Sequence, residues 1–503
     1  DVEEGAQAYL EAWKAEDYEG MYALLSRLSQ DAMTLEEFQK EHKDAAIALT
    51  MQNMDYAILS NMVKPSSAQV NYEISYTTTL LGTISRSTIM NLTLEENVWH
   101  VQWDASMILP ELAGGNRLEL TYEIPARGNI YDEFGYPLVA QDDAVAIGIV
   151  PGKIDPENED GMVSFLADLL DVSEDSIREK YAYAQADWYV AIGDVSAAVA
   201  QQYSDRFERY PGIVLSPFRS RYYYDGGIAP HVTGYVLSIS PEELEEYQRK
   251  GYRGDEKVGA AGLEAWGESY LAGKHGASLY IKDPQGQVVT KLASAPAEPA
   301  NSIYTTIDST LQYNLQHSMD DYLGAIVVME RDTGRVLAMV SNPGYNPNLF
   351  EPVNFNSMML ESVLNDPKLP LYNRAAQGVY PLGSVFKIIT MAAALETGVF
   401  TPDYPYYCAS TWTELQGVTL YDWTYERDLP ASGELTLQEG LMRSCNPWFW
   451  HIGYTLWNEG YTTAIADVAS GFGLGKKTGI EIQEFEGRLE QPTSVSENVQ
   501  LAI

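Results

Sequence analysis

Two short stretches of this chain carry residues whose types and spacing suit acyl transfer. Tyr380-Pro-Leu-Gly-Ser-Val-Phe-Lys387 places a serine at the opening of an apolar run, with a lysine one turn further on. Ser444-Cys-Asn446 supplies a second hydroxyl and a side-chain amide. Together they hold the parts of a serine nucleophile served by lysine, not histidine, as its base. Such a site opens peptide or lactam carbonyls.

The elements around the first stretch explain how it could be held. Pro381 and Gly383 break the preceding structure, and Ser384 is placed to cap the helix that follows. From Val385 to Leu395 the run is nearly apolar all round, and Gly398 can end it. A helix of that kind belongs inside a domain. Lys387 is its exception, and i to i+3 spacing puts it on the face of Ser384. Burial penalises an ammonium, so the lysine pKa should fall and the neutral amine become a usable base. The positive end of the helix favours negative charge developing near Ser384.

Each motif also has a plainer reading. A Ser-x-x-Lys match arises about once by chance in a chain this long, and a lysine can snorkel from a capped core helix to water. Ser444-Cys-Asn446 can equally be an Asn-Pro turn capped by its serine. The pair is stronger than either part, and the surrounding sequence decides.

Asn373-Arg374, the Gly-Ser-Val-Phe-Lys core and Leu435-x-Leu-x-x-x-Leu-x-x-Ser-Cys-Asn-x-x-Phe resemble the transpeptidase domain of class B penicillin-binding proteins. The lead-in does too: Thr305-Thr-Ile-Asp308, Leu311-Gln312, Gly324-Ala-Ile-Val-Val and Thr333-Gly-Arg-Val-Leu-Ala-Met. One departure is Leu382, where family members usually carry proline; it lies on the turn, away from the reacting groups. Upstream, Arg127-Gly-Asn-Ile-Tyr-Asp132 with Gly135 and Leu138 resembles the opening of the family's non-catalytic dimerisation module. Tyr210-Pro-Gly-Ile, Arg221-Tyr, His231-Val-Thr-Gly-Tyr235, Gly259-Ala-Ala-Gly-Leu-Glu264 and Leu271-x-Gly-x-x-Gly276 continue it in order. Read locally these are strand ends and glycine turns, so their expected role is scaffolding.

The first hundred residues form a further unit. Ala6 to Leu25 reads as one amphipathic helix with Tyr9, Leu10, Trp13, Met21, Tyr22 and Leu25 on its apolar face. Thr34-Leu-Glu-Glu37 reads as a capping box. Alternation at Val70, Tyr72, Ile74 and Tyr76, and at Trp99, Val101 and Trp103, marks strands. Helices followed by an antiparallel sheet suggest an α+β cone. It resembles the nuclear-transport-factor-like extension of low-affinity, antibiotic-resistance-type penicillin-binding proteins, and a spacer is its expected role.

The implied fold class is multidomain α+β. It comprises an N-terminal α+β cone over 1–112 and an extended β-rich dimerisation-type module over 113–298. A penicillin-recognising serine transpeptidase fold, helices around an antiparallel sheet, follows over 299–503 and is truncated at its C-terminus. The chain starts at Asp1 without methionine, and no apolar run approaches the length that spans a bilayer. Since the family carries one N-terminal membrane anchor, the expectation is an ectodomain on the extracytoplasmic face of the bacterial membrane. The family's third motif, Lys-Thr/Ser-Gly, is expected beyond Ile503. Lys477-Thr478-Gly479 spells it, but in a glycine-punctuated run about thirty residues after Ser444, so it is expected to be a look-alike.

Composition limits the alternatives. A net charge of −39 argues against nucleic acid and against electrostatic adhesion to anionic lipid. The six histidines show no ligand spacing, so no metal is expected, and no cofactor is needed. Two cysteines, Cys408 and Cys445, are too few for a disulfide scaffold; a bridge between them stays open.

The resemblance implies roles residue by residue. Ser384 attacks the carbonyl between the terminal D-alanines of a peptidoglycan stem peptide, and neutral Lys387 takes its proton. Ser444 relays a proton to the leaving amine, and Asn446 hydrogen-bonds the substrate amide and Lys387. The Ser384 N–H forms half of the oxyanion hole. β-Lactam antibiotics acylate the same serine, and cell-wall synthesis proteins are the expected partners. Two other classes stay in view: a non-enzymatic cell-wall-assembly scaffold or β-lactam sensor, and a β-lactamase, which has no use for the long upstream modules.

Overall fold

A computed structural model describes all 503 residues. The chain forms two compact units. One comprises residues 1–313, 329–338 and 345–365, and the other residues 314–328, 339–344 and 366–503.

The first unit opens with helices α1 (Val2–Lys14), α2 (Tyr18–Ala23), α3 (Arg27–Ala32) and α4 (Leu35–Ala48). Instead of one helix over Ala6–Leu25 there are two. Glu16 takes a left-handed φ of 55°, and Asp17 caps α2 by accepting from Gly20 N–H at 2.9 Å. A local side-chain acceptor outcompetes helix continuation at that point. The box at Thr34 forms as expected, with Glu37 reaching back to the cap.

Strands β1 (Met51–Val63), β2 (Ser67–Thr78), β3 (Gly82–Glu95) and β4 (Val98–Gln102) make an antiparallel meander in sequence order. In β2 the buried positions alternate through Val70, Tyr72, Ile74 and Tyr76, so period-2 patterning sets which face meets the helices. Tyr72 and Tyr76 donate their buried hydroxyls to the carbonyls of Met107 and Ile108 at 2.9 and 2.8 Å. Leu279 and Ile281, from the strand Gly276–Lys282, close the same core.

His42 on α4 is almost fully buried in that core. Trp13, Tyr18, Phe38 and Trp103 surround its ring at 4.6–6.0 Å, and neither ring nitrogen has a partner. Burial pushes its pKa down to about 3. The folded unit thus holds His42 neutral, while the unfolded chain takes up a proton below about pH 6.5. Stability is full above that value and is lost as pH falls towards 3. At about pH 5 the loss should reach roughly 2 kcal/mol. Urea titrations followed by fluorotryptophan NMR at Trp13 should show it, and His42→Leu should flatten the pH dependence.

The rest of the first unit is β-rich. One sheet orders Val288–Ala295, Gly276–Lys282 and Arg117–Glu123. A five-stranded sheet centres on Pro137–Ile149, which pairs antiparallel with Val190–Ser196 and Ile213–Tyr223. The helix Glu159–Leu170 covers it with Met162, Val163, Phe165 and Leu166. The glycine-turn motifs meet at an ionic hub. Glu264, fully buried, accepts from Arg127 at 2.9 Å and from Tyr223 at 3.2 Å, and it pairs with Arg221. Asp132 accepts two turn N–H groups, at 2.9 and 2.7 Å. These contacts tie strand ends together.

In the second unit, helices Lys387–Glu396, Leu437–Arg443, Asn446–Asn458, Ala464–Gly471 and Val495–Leu501 surround a core of Phe386, Ile389, Leu437, Trp448, Phe449 and Ile452. Its strands come as antiparallel pairs, Pro405–Cys408 with Gly433–Thr436 and Thr411–Trp412 with Leu420–Tyr421.

Candidate active site

Ser384 lies in a 3-10 turn, Gly383–Phe386, that leads into the helix Lys387–Glu396. It caps neither element: Leu382 holds the cap position of the turn and Phe386 that of the helix, both without a side-chain bond. The serine hydroxyl is engaged elsewhere, by Lys387 and Ser444. Nor is the helix buried all round. Ile389, Thr390, Ala393 and Ala394 are buried, while Val385 and Ile388 are 67% and 54% exposed.

Ser444 reaches the same place from another direction. Leu437–Arg443, opened by the capping box of Thr436 and Glu439, ends at Ser444, whose φ of 54° turns the chain sharply. Cys445 then caps Asn446–Asn458 through its sulfur, which accepts from Trp448 N–H at 3.3 Å. The serine of this motif is thus the end of one helix, and the cysteine caps the next.

All four residues singled out from the sequence converge on one nitrogen. Lys387 is fully buried, and its Nζ donates to Ser384 Oγ, Ser444 Oγ and the Ser444 carbonyl, each at 3.1 Å. It also contacts Asn446 Oδ1. Ser444 Oγ donates to Ser384 Oγ at 3.0 Å. Burial lowers the lysine pKa from 10.5 to about 8, and the nearby carboxylate of Asp422 acts in the opposite sense. A lysine poised this close to neutrality can exchange roles with the serine across the 3.1 Å contact, accepting a proton where it now donates one. Ser384 itself is exposed and Lys387 is not, so a carbonyl can reach the serine hydroxyl while the lysine amine stays dry.

The loop before Ser384 is fixed by Asn373 and Arg374, both buried. Asn373 Oδ1 accepts from the N–H groups of Ala375 and Ala376 at 3.1 and 3.2 Å. Arg374 donates to the carbonyls of Leu369 and Lys368. Lys477-Thr478-Gly479 is irregular chain whose N–H groups, from Thr478 and Gly479, are held by Glu484 at 2.9 and 2.7 Å.

Two features of the site were not decided by the sequence, which left the cysteine bridge open and did not single out Asp422. Cys408 and Cys445 form a disulfide, Cα to Cα 6.4 Å, which ties the strand Pro405–Cys408 to the residue between Ser444 and Asn446. Asp422, fully buried, accepts the N–H of Asn446 at 2.9 Å. Its sequence signal, Asp-Trp-Thr, is that of an ordinary helix cap, and it does cap Trp423–Glu426.

Three family models match the chain. They are the NTF2-like N-terminal transpeptidase domain over 2–116, the penicillin-binding protein dimerisation domain over 122–305 and the penicillin-binding protein transpeptidase domain over 324–503. The peptidoglycan D,D-transpeptidase MrdA of Escherichia coli K12 is 30% identical over 379 residues, covering 73% of this chain and 58% of the relative. Penicillin-binding protein 3 of Bacillus subtilis is 28% identical over 414 residues, covering 80% and 60%. The chain therefore spans somewhat under two thirds of the length of these relatives. Among solved structures, a complex between a penicillin-binding protein (PBP2) and MreC from Helicobacter pylori matches in fold. Its TM-score is 0.54 at 22% identity, over 77% of this chain and 74% of that one. A peptidoglycan synthase complex matches with a TM-score of 0.51 at 27% identity, over 79% and 70%. With these three domains in this order, and a buried lysine joining its two serines, the chain belongs to the class B penicillin-binding proteins.

Proposed function

We propose that this chain carries the acyl-transfer site of a peptidoglycan cross-linking D,D-transpeptidase. The observation that carries the reading is Lys387, buried and bonded at once to Ser384, Ser444 and Asn446. Ser384 Oγ attacks the carbonyl of a D-Ala-D-Ala stem peptide as Lys387 takes its proton. Ser444, within hydrogen-bond reach of both, passes a proton to the leaving D-alanine. An amine of a second strand then opens the acyl-enzyme and closes the cross-link. β-Lactams take the place of the stem peptide and stop at the acyl stage. We assign modules at 1–112, 113–298 and 299–503, the first two serving as spacer and scaffold.

The place of action is the extracytoplasmic face of the bacterial membrane, alongside other cell-wall synthesis proteins. The disulfide supports this, since such bonds persist in oxidising compartments. No helix is long and apolar enough to cross a membrane.

The test is intact-mass analysis and peptide mapping of the full-length protein after benzylpenicillin. A persistent adduct on Ser384 is expected. Rapid loss of the adduct with release of hydrolysed drug would indicate a β-lactamase. No adduct at saturating drug would leave a scaffold without acyl chemistry.

A further inference from the structure

Asp422 is a buried carboxylate whose donors are all uncharged. Oδ1 accepts the Asn446 N–H at 2.9 Å; Oδ2 accepts the Thr424 hydroxyl at 2.7 Å and the Thr424 N–H at 3.3 Å. A carboxylate with full burial and no cationic donor is costly to keep, and a helix cap could be made by a neutral serine or asparagine. Its position suggests why a charge is kept. Asn446, whose backbone it holds, touches Lys387 through its side-chain oxygen.

Around Lys387 the other contacts are neutral: two serines, Asn446, and the Phe449 ring at 5.6 Å from Nζ. Charged groups on the helices packed against it are engaged elsewhere. Glu439 bonds Thr436, Arg443 bonds Ser432, His451 bonds Glu414, Asp467 bonds Thr463 and Glu497 bonds Thr493. Glu396 is exposed at the far end of the lysine's own helix. Asp422 is the carboxylate joined to the lysine's surroundings through one residue: it holds the backbone N–H of Asn446 at 2.9 Å, and the Asn446 side chain touches Lys387.

We propose that Asp422 is a positioning residue of the acyl-transfer site: its carboxylate pins Asn446 against Lys387 and places a buried negative charge one residue away from the lysine. The proposal rests on the acyl-transfer reading above. It separates two roles that one carboxylate could have. A purely structural cap affects how fast the site works, whereas a charge near the base also affects the pH at which it works.

The experiment measures the rate of acylation by benzylpenicillin against pH in the full-length protein, its Asp422→Asn variant and its Thr424→Val variant. Asparagine keeps the shape and an acceptor for Asn446 N–H but removes the charge, so the ammonium is less favoured. The alkaline-rising limb should move about one pH unit towards acid. Valine removes the hydroxyl that partly neutralises Oδ2 and leaves the charge, so the limb should move the other way by a smaller amount. A lower plateau with an unmoved inflection in Asp422→Asn would reduce Asp422 to a structural cap and overturn the proposal. Should Asp422→Asn not fold, an unmoved inflection in Thr424→Val overturns it equally. A wild type that acylates while both variants stay unshifted removes this proposal alone. A wild type that never acylates removes the acyl-transfer reading and this proposal with it.

Discussion

Replacing Lys387 with alanine is expected to slow acylation of Ser384 by roughly a thousandfold, about 4 kcal/mol in the barrier. Ser384 stays in place, and the loss comes from removing the one group positioned to take its proton, 3.1 Å from Oγ. Lys387→Arg should be nearly as slow, although it keeps the positive charge. Guanidinium does not deprotonate in this range, so it holds Ser444 and Asn446 but cannot serve as a base. An arginine variant that acylates at a wild-type rate would show that the cation only organises the site. In the wild type the rate should rise with pH and level off above about 8, because only the neutral amine accepts a proton. Stopped-flow acylation by a chromogenic cephalosporin reads all three. The alanine variant also strands the Ser444 carbonyl and Asn446 Oδ1, so its thermal midpoint should be recorded beside its rate.

Replacing both Cys408 and Cys445 with serine should destabilise the second unit by about 4 kcal/mol. The bond closes a loop with a sequence separation of 37, and restricting that loop in the unfolded chain accounts for a stabilisation of this size. The effect should reach function as well. Cys445 lies between Ser444 and Asn446, and its sulfur caps the helix that begins at Asn446. Freed of the bond to the strand Pro405–Cys408, both motif residues lose one of their anchors, Asp422 being the other. Urea unfolding of the second unit should shift to lower denaturant, and acylation should slow at temperatures where the fold survives. Both cysteines are fully buried, so reductant alone should act only after local opening. An unchanged urea midpoint in the double variant would show the loop to be restrained without the bond.

That Ser384, Lys387, Ser444 and Asn446 could form one constellation was legible in the sequence, and the fold does bring them together. Acyl transfer with lysine demands those residue types, and three-residue helical spacing by itself brings Ser384 to Lys387. The cone's sheet was legible for a similar reason, since alternate burial along Val70–Tyr76 follows from strand period alone. Local chemistry misled where a competing bond was present. Ser384 looked like a cap until Lys387 and Ser444 took up its hydroxyl, and Ala6–Leu25 looked continuous until Asp17 capped a second helix. The disulfide and the placement of Asp422 against Asn446 belong to tertiary structure outright. Cys408 and Cys445 stand 37 residues apart, Asp422 and Asn446 24. No periodicity links positions so separated; only the pairing of Pro405–Cys408 with Gly433–Thr436 and the burial of Lys387 bring them to one place. Sequence by itself determined which groups could react, because reactivity resides in residue type and short spacing. The fold decided how they are held and charged, because burial and long-range contacts exist only once the chain has closed on itself.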